Sequence, residues 1–242
     1  MSFPLYPKWL TESYSLEGED RIALSLLRTI INDYGQNFFY IDIGCNDPIK
    51  YSNTYLFYKL GLHGICIDPL PESAKKFEEQ RKNDTFIQAA IAEKIDQVYM
   101  HIFDMDDAST IDLETQKKYA GKFDLKCKLK VKTISLKYVM ENLRIPKNAN
   151  IPLLSIDVEG YDENIFSQAM NLDNRFDMII VEDKLINLSN PYPQSKIGEL
   201  AKDNGYIMIS KSPLNTIYIN NKSKTFEWIP RKMIDFKKNV KS

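Results

Sequence analysis

Two periodicities divide this chain. Ile22, Ala23, Leu26, Leu27, Ile30 and Ile31 recur at helical spacing, which predicts an amphipathic helix ending near Gly35. Its start falls at 15–20, with Ser15 as N-cap and Glu17, Glu19 and Asp20 in the first turns, where they suit the helix dipole or face a ligand. From Phe38 on, short apolar runs take over, and 38–43, 64–67, 85–92, 152–158 and 178–181 read as buried strands. Helical patterns lie between them, at 52–58, from the Pro69-Leu70-Pro71 turn to Lys82, at 162–170 and at 194–204. Residues 98–103 and 126–133 alternate instead, predicting a half-exposed strand pair around a polar loop at 104–110 and a helix at 113–119. A hairpin at 206–210 and 215–220, turning at Pro213, closes the pattern.

Strands alternating with helices predict an α/β fold: a mostly parallel seven-stranded sheet flanked by helices, with an antiparallel edge and a small inserted β-strand pair. The chain reads as a single domain, 1–242, comprising an N-terminal arm and helix (1–36), a cofactor-binding half (37–92), an insertion (93–135), the second half of the sheet (150–221) and a C-terminal tail (222–242). A net charge of −1 gives no reason to expect a nucleic-acid partner, and the basic run at 231–241 reads as a solvated tail. The three cysteines lack metal-ligand spacing and fit packing in a reducing compartment. With no leader-like segment and no run of apolar residues long enough to span a bilayer, a cytoplasmic location is expected. Nothing in the pattern sets an oligomeric state.

The chemistry gathers around the first two strands. The run at 38–43 stops at Gly44, and the run at 64–67 ends on Asp68, so strand, loop, helix and strand make a nucleoside-binding βαβ unit with a carboxylate placed to accept from both ribose hydroxyls. A dinucleotide site would need the glycines of G-x-G-x-x-G to hold a pyrophosphate, and here only Gly44 is present. Asp42 and Asp47 in the same loop would repel phosphate and attract a cation. S-adenosylmethionine, which carries an ammonium and a sulfonium and no phosphate, suits that loop.

The run Y-I-D-I-G-C-N-D-P, then S-N-T-Y, then G-I-C-I-D-P, together with L-L-S-I-D-V-E-G-Y at 153–161, resembles the FkbM-type S-adenosylmethionine-dependent methyltransferases. The resemblance covers about 15–182 and implies a Rossmann-like class I methyltransferase fold and O-methylation of a sugar hydroxyl, with a carbohydrate or glycoconjugate as acceptor. Many members have Gly where this chain has Pro48 and Glu where it has Asp68, a shorter carboxylate that still reaches a ribose. The cofactor-binding residues implied are Asp42, Gly44, Asn46, Ser52, Asn53, Thr54, Asp68, Pro69, Ala90 and Asp157.

Four strand ends carry carboxylates: Asp42, Asp68, Asp157 with Glu159, and Glu182 with Asp183. In a doubly wound sheet such tips converge on one rim. Methyl transfer to a hydroxyl requires alignment of two atoms and removal of a proton, so Asp157 is the first candidate base, with Glu159 beside it and His101 as the other possible base. A divalent cation such as magnesium would find hard oxygen ligands in Asp157, Glu159, Glu182 and Asp183. The competing readings are a nucleotide-dependent oxidoreductase and a non-catalytic adenosyl-binding domain.

Overall fold

The computed structural model describes residues 12–104, 108–142, 145, 150–173, 176–183 and 195–223. Most of the expected N-terminal arm and the basic run at 231–241 lie outside the described residues. Helix α1 (Glu19–Tyr34) is the amphipathic segment, but its N-cap is Gly18, in the left-handed region at φ 91°, and not Ser15. Ser15 ties down the chain ahead of the helix instead: its hydroxyl donates to Asp20 Oδ1 at 3.0 Å and accepts the Asp20 N–H at 3.2 Å.

Strands β1 (Phe38–Ile43), β2 (His63–Ile67) and β3 (Thr85–Ile87) pair in parallel. After β4 (Ala90–Ile91), β5 (Asp96–Phe103), β6 (Ser109–Thr110) and β7 (Leu125–Ile134), which lie in a second sheet, the strands β8 (Asn150–Ile156), β9 (Met178–Glu182), β10 (Tyr206–Lys211) and β11 (Asn215–Asn220) complete a seven-stranded sheet. Its order among the described residues is β10-β11-β9-β8-β1-β2-β3. The closing hairpin forms the expected antiparallel edge of the sheet, with β11 running antiparallel between β9 and the outermost β10. Burial explains the placement. Residues 215–219 are buried in succession and need a neighbour on each side, whereas β10 is half-buried along most of its length and tolerates the edge.

The run 85–92 is two strands in two sheets. After β3 the Ala89 N–H returns to the Ile87 carbonyl at 3.0 Å, and the turn delivers β4 (Ala90–Ile91) to a second sheet with β5 (Asp96–Phe103), β6 (Ser109–Thr110) and β7 (Leu125–Ile134), in the order β4-β7-β5-β6. The expected pairing of 98–103 with 126–133 forms, antiparallel, with Tyr99 opposite Lys130. The inserted pair is thereby a four-stranded sheet.

Helix α2 (Tyr55–Lys59) is shorter than the pattern predicts, because Ser52 Oγ accepts the Tyr55 N–H at 3.0 Å ahead of its first turn. Helix α3 (Pro71–Gln80) and α4 (Leu113–Ala120) stand close to where they were expected, α5 (Leu136–Asn142) was not anticipated, and α6 (Asp162–Met170) and α7 (Lys196–Asp203) follow β8 and β9. Two apolar layers cover the sheet. Phe38, Tyr40, Leu153 and Ile180 pack with α1 and α2, and Ile41, Ile43, Leu154 and Ile156 pack with α5, α6 and α7.

Candidate active site

The tips of β1, β2 and β8 are pressed together at Gly44. Its N–H donates to the Ile67 carbonyl at 2.8 Å, and the Asp157 N–H donates to the Ile43 carbonyl at 2.9 Å. Gly44 has φ 79°, and a Cβ there would overlap the Asp157 carbonyl oxygen, so only glycine fits. The chain then turns through Asn46, also at positive φ, whose N–H donates to Asp68 Oδ2 at 3.1 Å. The Leu70 N–H donates to Asp68 Oδ1 at 2.9 Å. Burial pushes the Asp68 carboxyl above its ordinary range, against those hydrogen bonds.

A cleft of about 260 Å³ opens over these tips. Asp68 stands at one end of it and Asp157, Glu159 and Glu182 at the other, with Ala90, Ile91, Leu70 and Met100 among the apolar walls. One carboxylate oxygen from each of Asp157, Glu159 and Glu182 lies within 4.8 Å of the others. Asp183, the fourth candidate ligand, is not part of that group: it accepts from the Ser195 hydroxyl at 2.9 Å at the start of α7.

The turn after β8 is held from two sides. Asp162 accepts the Val158 N–H at 3.0 Å and the Gly160 N–H at 2.9 Å, and burial pushes its carboxyl up to about 6. From the insertion, Thr110 Oγ1 donates to the Glu159 carbonyl at 2.7 Å and the Tyr119 hydroxyl donates to the Glu159 carboxylate. The insertion is thus both a wall of the cleft and a clamp on one of its acids.

Of the residues expected to hold a cofactor, Gly44, Asn46, Asn53, Asp68, Pro69, Ala90 and Asp157 line the cleft. Asp42, Ser52 and Thr54 lie beneath it, in a buried network. Thr54 Oγ1 donates to Asp42 at 2.6 Å, and the guanidinium of Arg81 donates to Thr54, Ser52, the Pro48 carbonyl and the Tyr40 hydroxyl while its Nε donates to Asp84 at 2.6 Å. Asp47 is drawn outward by Lys76 at 2.9 Å. His101, on β5, is not among the cleft residues; its Nδ1 is buried with no hydrogen-bond partner among the described residues, and burial together with the Lys128 charge lowers its pKa. Glu19 and Asp20 stand in the first turn of α1, as expected, and Glu19 accepts from the Asn215 amide while the exposed Glu17 accepts from the Leu214 N–H, fastening the start of α1 to the β10–β11 turn. Sequence reasoning missed Leu16, Tyr51, Met100, Tyr161, Leu214 and Asn215 as cleft residues. Only Tyr51 carried a usable sign, as an aromatic in the loop after β1.

The family described as the Methyltransferase FkbM domain matches residues 42–208. No curated protein sequence matched. Among solved structures, monomeric WbdD is 11% identical, with 91% of this chain and 45% of that chain covered and a TM-score of 0.44. A putative type 11 methyltransferase from Sulfolobus solfataricus is 12% identical over 81% of this chain and 92% of its own, with a TM-score of 0.35. A Methanococcus jannaschii fibrillarin pre-rRNA processing protein is 10% identical over 77% and 67%, also at 0.35. The chain therefore spans less than half of the WbdD chain. The family match runs from Asp42 in β1 to Met208 in β10 and takes in every strand tip of the rim, so the chain belongs to the FkbM methyltransferase family, on a Rossmann-like class I fold.

Proposed function

We propose that this protein is an S-adenosylmethionine-dependent O-methyltransferase acting on a sugar hydroxyl of a glycan or glycoconjugate. The observation that carries this reading is the cleft itself, with one carboxylate at the tip of β2, three at the tips of β8 and β9, and apolar walls between. S-adenosylmethionine, when bound, supplies an electrophilic methyl group on a sulfonium. The acidic lining complements that cation. Asp68 keeps lone pairs beyond its two backbone bonds and accepts from the ribose hydroxyls. Pro69, Leu70, Ala90, Ile91 and Met100 offer an apolar surface for the base. Asp42, Ser52 and Thr54 support the loop from below.

Asp157 takes the proton of the acceptor hydroxyl. With Glu159 and Glu182 it also forms a hard-oxygen set that would hold magnesium or calcium, since oxygens on one calcium ion, at about 2.3–2.6 Å each, lie up to about 5 Å apart. A cation there would acidify the same hydroxyl.

The test joins calorimetry with turnover. Wild-type protein is expected to bind S-adenosylhomocysteine, and Asp68→Ala to weaken that binding by about 2–4 kcal/mol. Asp157→Asn should slow methyl transfer to a panel of methyl glycosides by about 10²- to 10⁴-fold while changing affinity less than about tenfold. Full rate after chelation, with no gain on adding magnesium, removes the cation and leaves Asp157 as the base. Absence of S-adenosylhomocysteine binding sinks the whole reading.

A further inference from the structure

The inserted sheet has two faces of opposite character. Val98, Met100, Leu129 and Val131 pack inward with Leu70, Ala90 and Ile111, against the cleft. The other face carries Lys126, Lys128, Lys130 and Lys132 of β7, all exposed. Lys128 stands opposite His101, Lys130 opposite Tyr99 and Lys132 opposite Gln97, while Lys126 sits at the bulge between the Cys127 and Leu125 pairings. Alternate residues of a strand are about 6.8 Å apart, so the row runs for about 20 Å in a nearly straight line. No acidic side chain among the described residues pairs with any of the four. Like charges so placed repel one another, and the protein carries that cost on an otherwise near-neutral chain. Beside the row, Tyr99 is 60% exposed.

We propose that this face binds an anionic polysaccharide chain laid along β7. A line of cations one strand wide complements a linear polyanion that presents charge at short, regular intervals. The exposed ring of Tyr99 lies within reach of such a chain and offers an apolar face for a sugar ring to stack on. Single-stranded nucleic acid would call for successive aromatic platforms, one per base, and this face has one. An anionic bilayer would call for a broader basic plane with an apolar anchor. The proposal goes beyond the methyl-transfer reading and does not rest on it, because binding here is read without cofactor or turnover.

The probe is an oligogalacturonate, titrated into the full chain at low and at physiological salt. Binding should weaken as salt rises, since the contacts are exposed and screened. Changing Lys126, Lys128, Lys130 and Lys132 together to Gln should weaken it at low salt by about 4-fold to several hundredfold, the range for losing four exposed ion pairs. A control with the same loss of charge, Lys75, Lys82, Lys202 and Lys222 to Gln on other exposed surfaces, should bind as the wild type does. A retained circular-dichroism spectrum and thermal midpoint in both variants would show that the fold is intact. The proposal is overturned if the wild type does not bind the oligogalacturonate at low salt or if both quadruple variants weaken alike. Tighter binding of a single-stranded oligonucleotide or of phosphatidylserine vesicles would overturn it as well.

Discussion

Arg81 is the residue on which the floor of the cleft depends. It is 1% exposed, and all five of its N–H donors are used, on Asp84, Tyr40, Thr54, Ser52 and the Pro48 carbonyl. Removing one member of a buried ion pair strands the other, so Arg81→Met should cost about 3–5 kcal/mol in urea denaturation. Combining it with Asp84→Asn should recover part of that loss, because the stranded charge is the larger cost. Additive losses in the double variant would refute the account. None of this was legible in the sequence. Arg81 falls just past a helix polar enough to read as a surface layer, and arginine is ordinarily outside. Asp42, Ser52 and Thr54 were placed in the cofactor site by the family resemblance; in the structure Ser52 and Thr54 accept from an arginine that follows α3, and Thr54 in turn donates to Asp42.

At the scale of elements, the turn between β8 and α6 is organised by Asp162, and it predicts how stability follows pH. The Asp162 carboxyl is raised from 3.8 to about 6 by burial. Its contribution is therefore fully present below 3.8, where folded and unfolded chains both hold the proton, and is lost as pH rises through 6. That is worth roughly 3 kcal/mol. Asp42 and Asp68, also raised by burial, act in the same sense. The urea midpoint of the wild type should fall between pH 4 and 7, and that of Asp162→Asn should fall less; parallel curves would remove Asp162 as a cause. Elements were the most legible level, for a physical reason. An apolar run such as 38–43 or 178–181 shows that a strand is buried, and α6 was read at its true bounds. The same run does not show which strand lies beside it. Hence 85–92 looked continuous although it changes sheets after Ile87, and the pattern did not tell which strand of the closing hairpin is outermost.

At the scale of the molecule, the cleft takes its walls from both halves of the sheet and from the insertion, so a ligand that fills it holds all three together. S-adenosylhomocysteine at a hundred times its dissociation constant should stabilise the fold by about 2.7 kcal/mol. For a chain of this size that raises the thermal midpoint by roughly 5–11 °C. NAD at the same concentration should leave it unmoved, and an equal shift with NAD would favour an oxidoreductase. The overall class was legible because alternation of strand and helix leaves few sheets to choose from, whereas no periodicity reveals that insertion residues such as Met100 and Ile111 enter the cleft.

The contact of Gly44 with the Asp157 backbone also bears on how the site is assembled in time. β1 pairs with β2 across a short connection, but with β8 across more than a hundred residues of chain. Closing a loop of that length is entropically slower than closing the local one. On a ribosome the Asp68 side of the cleft is complete in sequence before Asp157, Glu159 and Glu182 have been made. The Asp68 end of the rim can therefore take shape early, while the end with Asp157, Glu159 and Glu182 waits for the most distant strand pairing among the described residues of the sheet, and a partly folded chain has only half of the cleft.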